Sequence, residues 1–325
     1  MNPARPRIVF LDAETYGDVS LDRFTGRWDC TIHQVTSPAQ VSQRLAGHSI
    51  AVTNKVVIDG TVFSSPLASE LRLIAVAATG TDIIDRQEAA RRGVTVCNVP
   101  GYATQSVAQF TIALILELAT RAGTYSDDVR AGAWSNSPVF SLVTYPTIEL
   151  CGKKLGIVGY GNIGRSVAQI ARALGLEILV AARPGATGAA PRDRVLLEDL
   201  FRQADIISLH CPLTSETRDL INRQSLSLMK PTAFLVNTAR GALIDEAALI
   251  QALRARRIAG AALDVITQEP PPSDHPMVQA AKELDNLWVT PHTAWSTREA
   301  RERLLKEVQE NIAAFLSGKE RNRVA

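Results

Sequence analysis

Short apolar runs recur along the chain at 8–11, 50–53, 73–77 and 95–98, and again at 155–159, 177–181, 206–210, 233–237 and 287–290, with helical periodicity between them. Strands separated by helices pair most readily through parallel crossovers, so the alternation predicts doubly wound α/β parallel sheets. Runs such as "LGIVG" and "AFLVNT" lack the polar alternation of a half-solvated sheet and fit strands covered on both faces. At 325 residues the chain exceeds what one core usually organises, which predicts two domains. The stretch 105–122 is apolar at helical spacing and follows Pro100-Gly101, so it reads as a buried helix entering a new unit. A second helix, 298–316, carries Leu304, Leu305, Val308, Ile312 and Phe315 at helical period and could return the chain to the first unit. There is no internal repeat, and the low-complexity patches are "GATGAAP" (185–191) and "EPPP" from Glu269.

Composition narrows the function classes. At 46% hydrophobic and 21% charged the chain is too apolar for disorder. Its 35 basic and 33 acidic residues leave no broad footprint for nucleic acid or an anionic membrane, so any anionic ligand must be met locally. The longest apolar stretch, 106–120, is interrupted by Gln109 and Glu117 and falls short of the ~20 residues that span a bilayer. The run 8–11 is too short for an export signal. Cys30, Cys97, Cys151 and Cys211 are isolated from one another, without disulfide or metal spacing, which points to reduced thiols in the cytoplasm and to no metal.

The strongest local motif is Gly159-Tyr160-Gly161-Asn162-Ile163-Gly164, preceded by the strand-like "KLGIV" and followed by the helical "RSVAQIARAL". Gly159, Gly161 and Gly164 suit a tight turn, approach of backbone to a pyrophosphate and close helix–strand packing, with Asn162 and Ile163 opening a helix whose amides attract anions. A dinucleotide is the expected ligand. Cofactor choice is set roughly twenty residues on, where a carboxylate would accept from the ribose hydroxyls. Here the strand ends in Ala182-Arg183, which removes that carboxylate and offers a guanidinium to a 2′-phosphate, favouring NADP(H). The alternative is that Arg183 stacks on adenine and NAD(H) is used.

With these residues, "VNTARGALID" (236–245), "ALDV" (262–265), "QEPP" (268–271) and "PHTAW" (291–295), the sequence resembles the D-2-hydroxyacid dehydrogenase family over nearly its whole length. "AVAATGTD" (75–82), "VCNVPGYATQSVA" (96–108) and the tail "NIAAFLSGKERNRV" are most similar to its glycerate dehydrogenase and hydroxypyruvate or glyoxylate reductase branch. The resemblance implies a Rossmann domain at 101–291 inserted into a flavodoxin-like substrate domain made of 1–100 and 292–325, and a homodimer. Departures from the family pattern are Gln109, Ile83 and Ala182, where acidic residues or asparagine are usual.

Reduction of a 2-keto acid needs a cation for the carboxylate, an acid for the carbonyl oxygen and a hydride donor held close. By the resemblance, Arg240 anchors the substrate, His292 is the general acid–base, and Glu269 pairs with the imidazolium and orients the ring. Thr79 and Gly80 match the loop whose amides hold the substrate carboxylate. Asn54, beside Lys55, could stand at the substrate mouth, with a solvated turn as the alternative. Asp264 matches the aspartate that fixes the nicotinamide carboxamide, against the alternative of a structural hydrogen bond. Thr104, Pro212, Thr217, Thr238, Ala239 and Ala294 fall where family members meet the cofactor. Trp134, Tyr145 and Trp295 are read as core or interface aromatics that could instead line the pocket. Two rival functions use the same scaffold: a nicotinamide-sensing, corepressor-like binding protein, and a formate- or phosphite-type dehydrogenase.

Overall fold

The computed structural model describes residues 6–183 and 191–325. The glycine- and alanine-rich patch at 185–191 lies, apart from Pro191, outside the described residues. The chain divides into two compact units, one of Met1–Ala103 with Ser296–Ala325 and one of Thr104–Trp295. The first contains strands β1 (Arg7–Phe10), β2 (Asp29–Ile32), β3 (Ile50–Thr53), β4 (Leu73–Val76) and β5 (Thr95–Cys97) in the sheet order β2-β1-β3-β4-β5. The second contains β6 (Lys154–Val158), β7 (Glu177–Val180), β8 (Ile206–Leu209), β9 (Phe234–Asn237), β10 (Gly260–Leu263) and β11 (Leu287–Val289) in the order β11-β10-β9-β8-β6-β7. Every pairing between these strands is parallel, as the apolar runs predict. Each order reverses once, between β1 and β3 and between β6 and β8. At such a switch point the flanking loops leave in opposite directions and open a crevice at the carboxyl ends of the strands.

Continuous burial of the strands follows from cover on both faces. In the second unit Leu155, Ile157, Phe234 and Val236 pack with Ile112, Ile115 and Leu118 of the helix Thr104–Thr120. On the opposite face Val158, Ile207, Leu235 and Leu263 pack with Leu249 and Leu253 of the helix Glu246–Arg254. In the first unit the helix Arg298–Leu316 packs on β4. The chain end then lies along β5, with Val324 N donating to Val96 O at 2.8 Å and Val96 N donating to Ala325 O at 3.0 Å. This covers an edge strand that would otherwise expose unpaired backbone groups. No helix among the described residues is long and apolar enough to cross a membrane.

Two strands escape the apolar-run reading. β2, "DCTI", is a sheet edge with no fully buried position, so it carries little hydrophobic signal. β10, "GAAL", is fully buried but built from small residues because its surroundings leave no room. A Cβ at Gly260 would lie 3.1 Å from Asn286 O, 3.3 Å from Leu118 Cδ2 and 3.4 Å from Phe234 Cδ1. We therefore expect Gly260→Val to destabilise the protein by about 1–3 kcal/mol through overpacking. Denaturant unfolding checks this, and unchanged stability would show that the layer around β10 yields.

Candidate active site

The turn after β6 assigns a different task to each glycine. Gly159 has φ of +96°, and a Cβ there would lie 2.5 Å from both His210 C and Cys211 N, so only glycine fits where the loops after β6 and β8 meet. Gly164, inside the helix Asn162–Ala173, would place a Cβ 2.2 Å from Gly159 O, so it sets the close approach of helix to strand. At Gly161 the Cβ position is open, with nothing within 4 Å. Gly161 is also the N-cap and supplies no side-chain acceptor to the first-turn amides at Asn162 and Ile163. Uncapped amides, open space and the positive end of a helix dipole suit a pyrophosphate, so the residues present fit a dinucleotide.

At the end of β7, Ala182 is buried and its amide donates to Val195 O at 2.7 Å, while Arg183 is exposed. The sequence reading missed Arg194. It returns to the same strand end, with Nη1 3.5 Å from Ala181 O and its guanidinium 5.1 Å from the centroid of the Tyr160 ring. Its signal was lost because it follows the low-complexity patch. Thus two guanidinium groups flank the strand end that lacks a carboxylate. Arg183 also lies near Glu216, whose carboxyl is held below its ordinary range chiefly by hydrogen bonding to the Thr214 side chain, with Arg183 adding attraction.

Beyond β8, His210 bonds through Nε2 to Ser208 Oγ at 2.9 Å, and desolvation pushes its pKa down to about 4, so it is neutral near pH 7. Thr217 shapes the next loop, donating to Pro212 O at 2.7 Å and accepting from Thr214 N at 2.7 Å. After β9, the fully buried Asn237 accepts from Ala239 N at 3.0 Å and donates to Arg240 O at 2.8 Å, folding the turn that carries Arg240. Thr238 is tied to Thr111 by a 3.0 Å hydroxyl contact, and Thr104 opens the helix Thr104–Thr120.

The loops after β10 and β11 build the acid–base pair. His292 Nδ1 lies 2.6 Å from Glu269 Oε2, and both side chains are partly exposed, at 25% and 32%. Glu269 Oε1 in turn accepts from Ile266 N at 2.9 Å, which fixes the carboxylate in its plane. With Nδ1 directed to a carboxylate, the ring tautomer is set and Nε2 is the nitrogen able to transfer a proton. His292 has φ of +53°, and its amide donates to Asp264 O at 2.8 Å. Asp264 is buried, and its carboxylate accepts from Thr290 Oγ1 (2.7 Å), Thr293 N (2.9 Å) and Ala294 N (2.8 Å). That carboxylate therefore shapes the turn presenting His292, the structural alternative weighed for it above. Because β9, β10 and β11 are adjacent and parallel, Arg240, Asp264 and His292 leave the same edge of one sheet.

The remaining candidates lie in the first unit and follow β3 and β4. Asn54 is buried, and Thr79 donates its hydroxyl to Val99 O at 2.8 Å while Asn98 Nδ2 donates to Thr79 O at 2.7 Å, bracing the turn that continues into Gly80. The organising group here is Asp12, which sequence reasoning passed over as the end of an apolar run. Its buried carboxylate accepts from the amides of Asn54, Lys55 and Val56. Burial pushes its pKa up, against the opposing effect of those amides. Of the aromatic residues, Trp134 is 53% exposed with its indole N–H donated to Phe140 O at 2.9 Å, Tyr145 meets the Tyr125 ring edge-on, and Trp295 is half-buried. No cluster of metal-ligating side chains occurs among the described residues. At Gly159 both the positive φ and the close contacts exclude a Cβ. We expect Gly159→Ala to weaken dinucleotide binding about tenfold or more, because the left-handed backbone and the His210 contact both exclude a Cβ; fluorescence titration with NADPH and NADH checks this.

Residues 112–294 match the family model described as "D-isomer specific 2-hydroxyacid dehydrogenase, NAD binding domain". Glycerate dehydrogenase of Methylorubrum extorquens is 39% identical over 318 residues, 97% of this chain and 98% of that protein. Glyoxylate reductase of Aeropyrum pernix is 44% identical over 263 residues, 78% of this chain and 75% of that protein. Among solved structures, the NADPH-dependent glyoxylate/hydroxypyruvate reductase of Sinorhizobium meliloti, in complex with NADP and malonate, superposes with a TM-score of 0.83 at 27% identity, covering 99% of this chain and 97% of that one. The parallel sheets, the glycine cradle and these relationships together place the chain in the D-isomer specific 2-hydroxyacid dehydrogenase family, oxidoreductases that act on the CH–OH group of their donors with a nicotinamide cofactor.

Proposed function

We propose that this protein interconverts hydroxypyruvate and D-glycerate, or glyoxylate and glycolate, with NADP(H) favoured over NAD(H). The observation that carries the reading is the 2.6 Å contact between His292 Nδ1 and Glu269 Oε2, on the sheet edge that also carries Arg240. When bound, the nicotinamide supplies the hydride. The Arg240 guanidinium has the planar fork that matches a carboxylate, and anchors the acid end of the substrate. His292, oriented by Glu269, donates from Nε2 to the carbonyl oxygen in reduction and takes that proton back in oxidation. By the resemblance, Asn54 and the Thr79–Gly80 turn of the first unit are further candidates for binding substrate, and Thr104, Thr238, Ala239 and Ala294 for bordering the cofactor. Support for small substrates comes from the relatives' own names, glycerate dehydrogenase and glyoxylate reductase.

Support for NADP(H) comes from Ala182, Arg183 and Arg194 at the end of β7, where a 2′-phosphate would meet guanidinium groups and no carboxylate from that strand. A homodimer is part of the same proposal. The loop that ties Trp134 to Phe140 leaves Phe140 91% and Val143 87% exposed, an apolar surface suited to a second copy. The four free cysteines suit the reducing cytoplasm.

Initial rates with hydroxypyruvate, glyoxylate, pyruvate and phenylpyruvate, each with NADPH and NADH, test the assignment. Turnover of the first two is expected, and tight dinucleotide binding without turnover of any keto acid would instead indicate a nicotinamide-sensing protein. His292→Ala should lower kcat by about a hundredfold to ten-thousandfold with cofactor binding retained, as loss of a general acid does; near-normal turnover would remove it from that role. Arg183→Ala should raise KM for NADPH about tenfold while leaving KM for NADH nearly unchanged, given the strength of guanidinium–phosphate bonds. Equal losses for both coenzymes would refute the phosphate contact.

A further inference from the structure

We propose that Glu246, itself steadied by His275, is a positioning residue for the acid pair: it clamps the loop that carries Glu269 and so sets how that carboxylate meets His292. The inference rests on the reading of Glu269 and His292 given above. Glu246 opens the helix Glu246–Arg254, but the capping task there belongs to Asp245, which accepts from Ala248 N at 3.0 Å. The Glu246 side chain is only 13% exposed and is directed away to a distant loop. Its Oε1 accepts from Thr267 N at 2.7 Å, and its Oε2 lies 3.7 Å from His275 Nε2. His275 is 8% exposed at its side chain, and its Nδ1 accepts from Met277 N at 3.2 Å as the N-cap of the helix Pro276–Glu283. A neutral ring that accepts at Nδ1 carries its proton on Nε2, so the N–H faces the Glu246 carboxylate.

The clamp matters because of where Thr267 stands. The preceding amide, Ile266 N, donates to Glu269 Oε1 at 2.9 Å, so two carboxylates grip consecutive amides of one loop. The same residue is wedged against the turn after Arg240: a Cβ at Gly241 would fall 2.0 Å from Ile266 C and 2.1 Å from Ile266 O. A shift of this loop is therefore felt by Glu269 on one side and by the Arg240 turn on the other. A bond from an amide to a carboxylate is stronger than a neutral one, and the partly buried charge would be costly without its His275 partner. Glu246 reaches Glu269 through the amide of Thr267, and His275 reaches it through Glu246, so both act through Glu269.

The test compares kcat, KM and pH profiles of Glu246→Ala, Glu246→Gln, His275→Asn and, as control, Glu269→Gln, with thermal unfolding of each. Asparagine at 275 keeps an N-cap acceptor but loses the Nε2 contact. In Glu246→Ala, kcat for reduction should fall about tenfold to a hundredfold, since misplacement by a fraction of an ångström is enough to cost that much. The alkaline limb of its reduction profile should move down by about half to one pH unit as the acid loses its carboxylate partner. KM for the coenzyme should stay within about twofold, because the phosphate-binding turn is untouched. Glu246→Gln, which keeps an acceptor for Thr267 N, should recover most of the loss, and His275→Asn should fall between. If Glu246→Ala does not fold, the profiles of Glu246→Gln and His275→Asn decide. A lowered melting temperature with unshifted profiles, or a profile that moves in Glu269→Gln but in neither clamp variant, would overturn the positioning role alone. A profile that moves in no variant, Glu269→Gln included, would overturn the acid pair and the clamp with it.

Discussion

Parallel strand direction is the constraint from which the rest follows. In a sheet whose strands all point one way, every strand ends on the same edge, and the loops that follow become neighbours however far apart they lie in sequence. In the second unit this puts the turns after β6, β7, β8, β9, β10 and β11 on one rim. The rim therefore collects a phosphate cradle, two guanidinium groups, an arginine and a carboxylate–imidazole pair from segments more than a hundred residues apart. The same constraint in the first unit brings Asp12 after β1 against the turn after β3, at the point where the strand order reverses.

The loops of the rim are braced by side chains that bond to their backbone groups. Asp264 fills its carboxylate with a hydroxyl and two amides of the turn that presents His292, and Asn237 closes the turn that presents Arg240. Asp12 does for Asn54, Lys55 and Val56 what Glu246 does for Thr267. In each case a short polar side chain satisfies amides that no sheet or helix can reach, and so converts a loop into a fixed mount. Catalysis by proximity needs such mounts, since tolerance in the position of a proton donor is a fraction of an ångström.

Charge placement follows the same economy. The chain carries almost no net charge, so attraction for an anionic cofactor and an anionic substrate has to be local. In the function proposed above it is supplied by an uncapped helix N-terminus, by Arg183 and Arg194 at one strand end, and by Arg240 at another. Glu269 adds a carboxylate beside the imidazole, which balances the ring's charge when it is protonated and holds the Nδ1 proton, so that Nε2 is the nitrogen able to exchange one.

Much of this was legible in the residues themselves. Continuous apolar runs identified parallel sheets because burial on both faces leaves no polar alternation, and GYGNIG between a strand and a helix identified a dinucleotide turn because only glycine tolerates its backbone and close approaches. The motifs that carry the family resemblance also put forward Arg240, Glu269 and His292, and the structure brings Glu269 against His292. Local sequence could not reveal β10, where close neighbours demand glycine and alanine in place of the usual β-branched residues, or β2, an edge strand with little to bury. Nor could it single out Asp12, Arg194, Asn237, Glu246 or His275. Their roles consist of contacts with residues that are neighbours only after the strands align, and a carboxylate 21 residues from the amide it holds leaves no periodic signal. Sequence thus determined which chemistry the chain carries and the layers that carry it; tertiary structure decided how that chemistry is held in place, because side-chain-to-amide bonds across loops exist only once the sheet has brought those loops together.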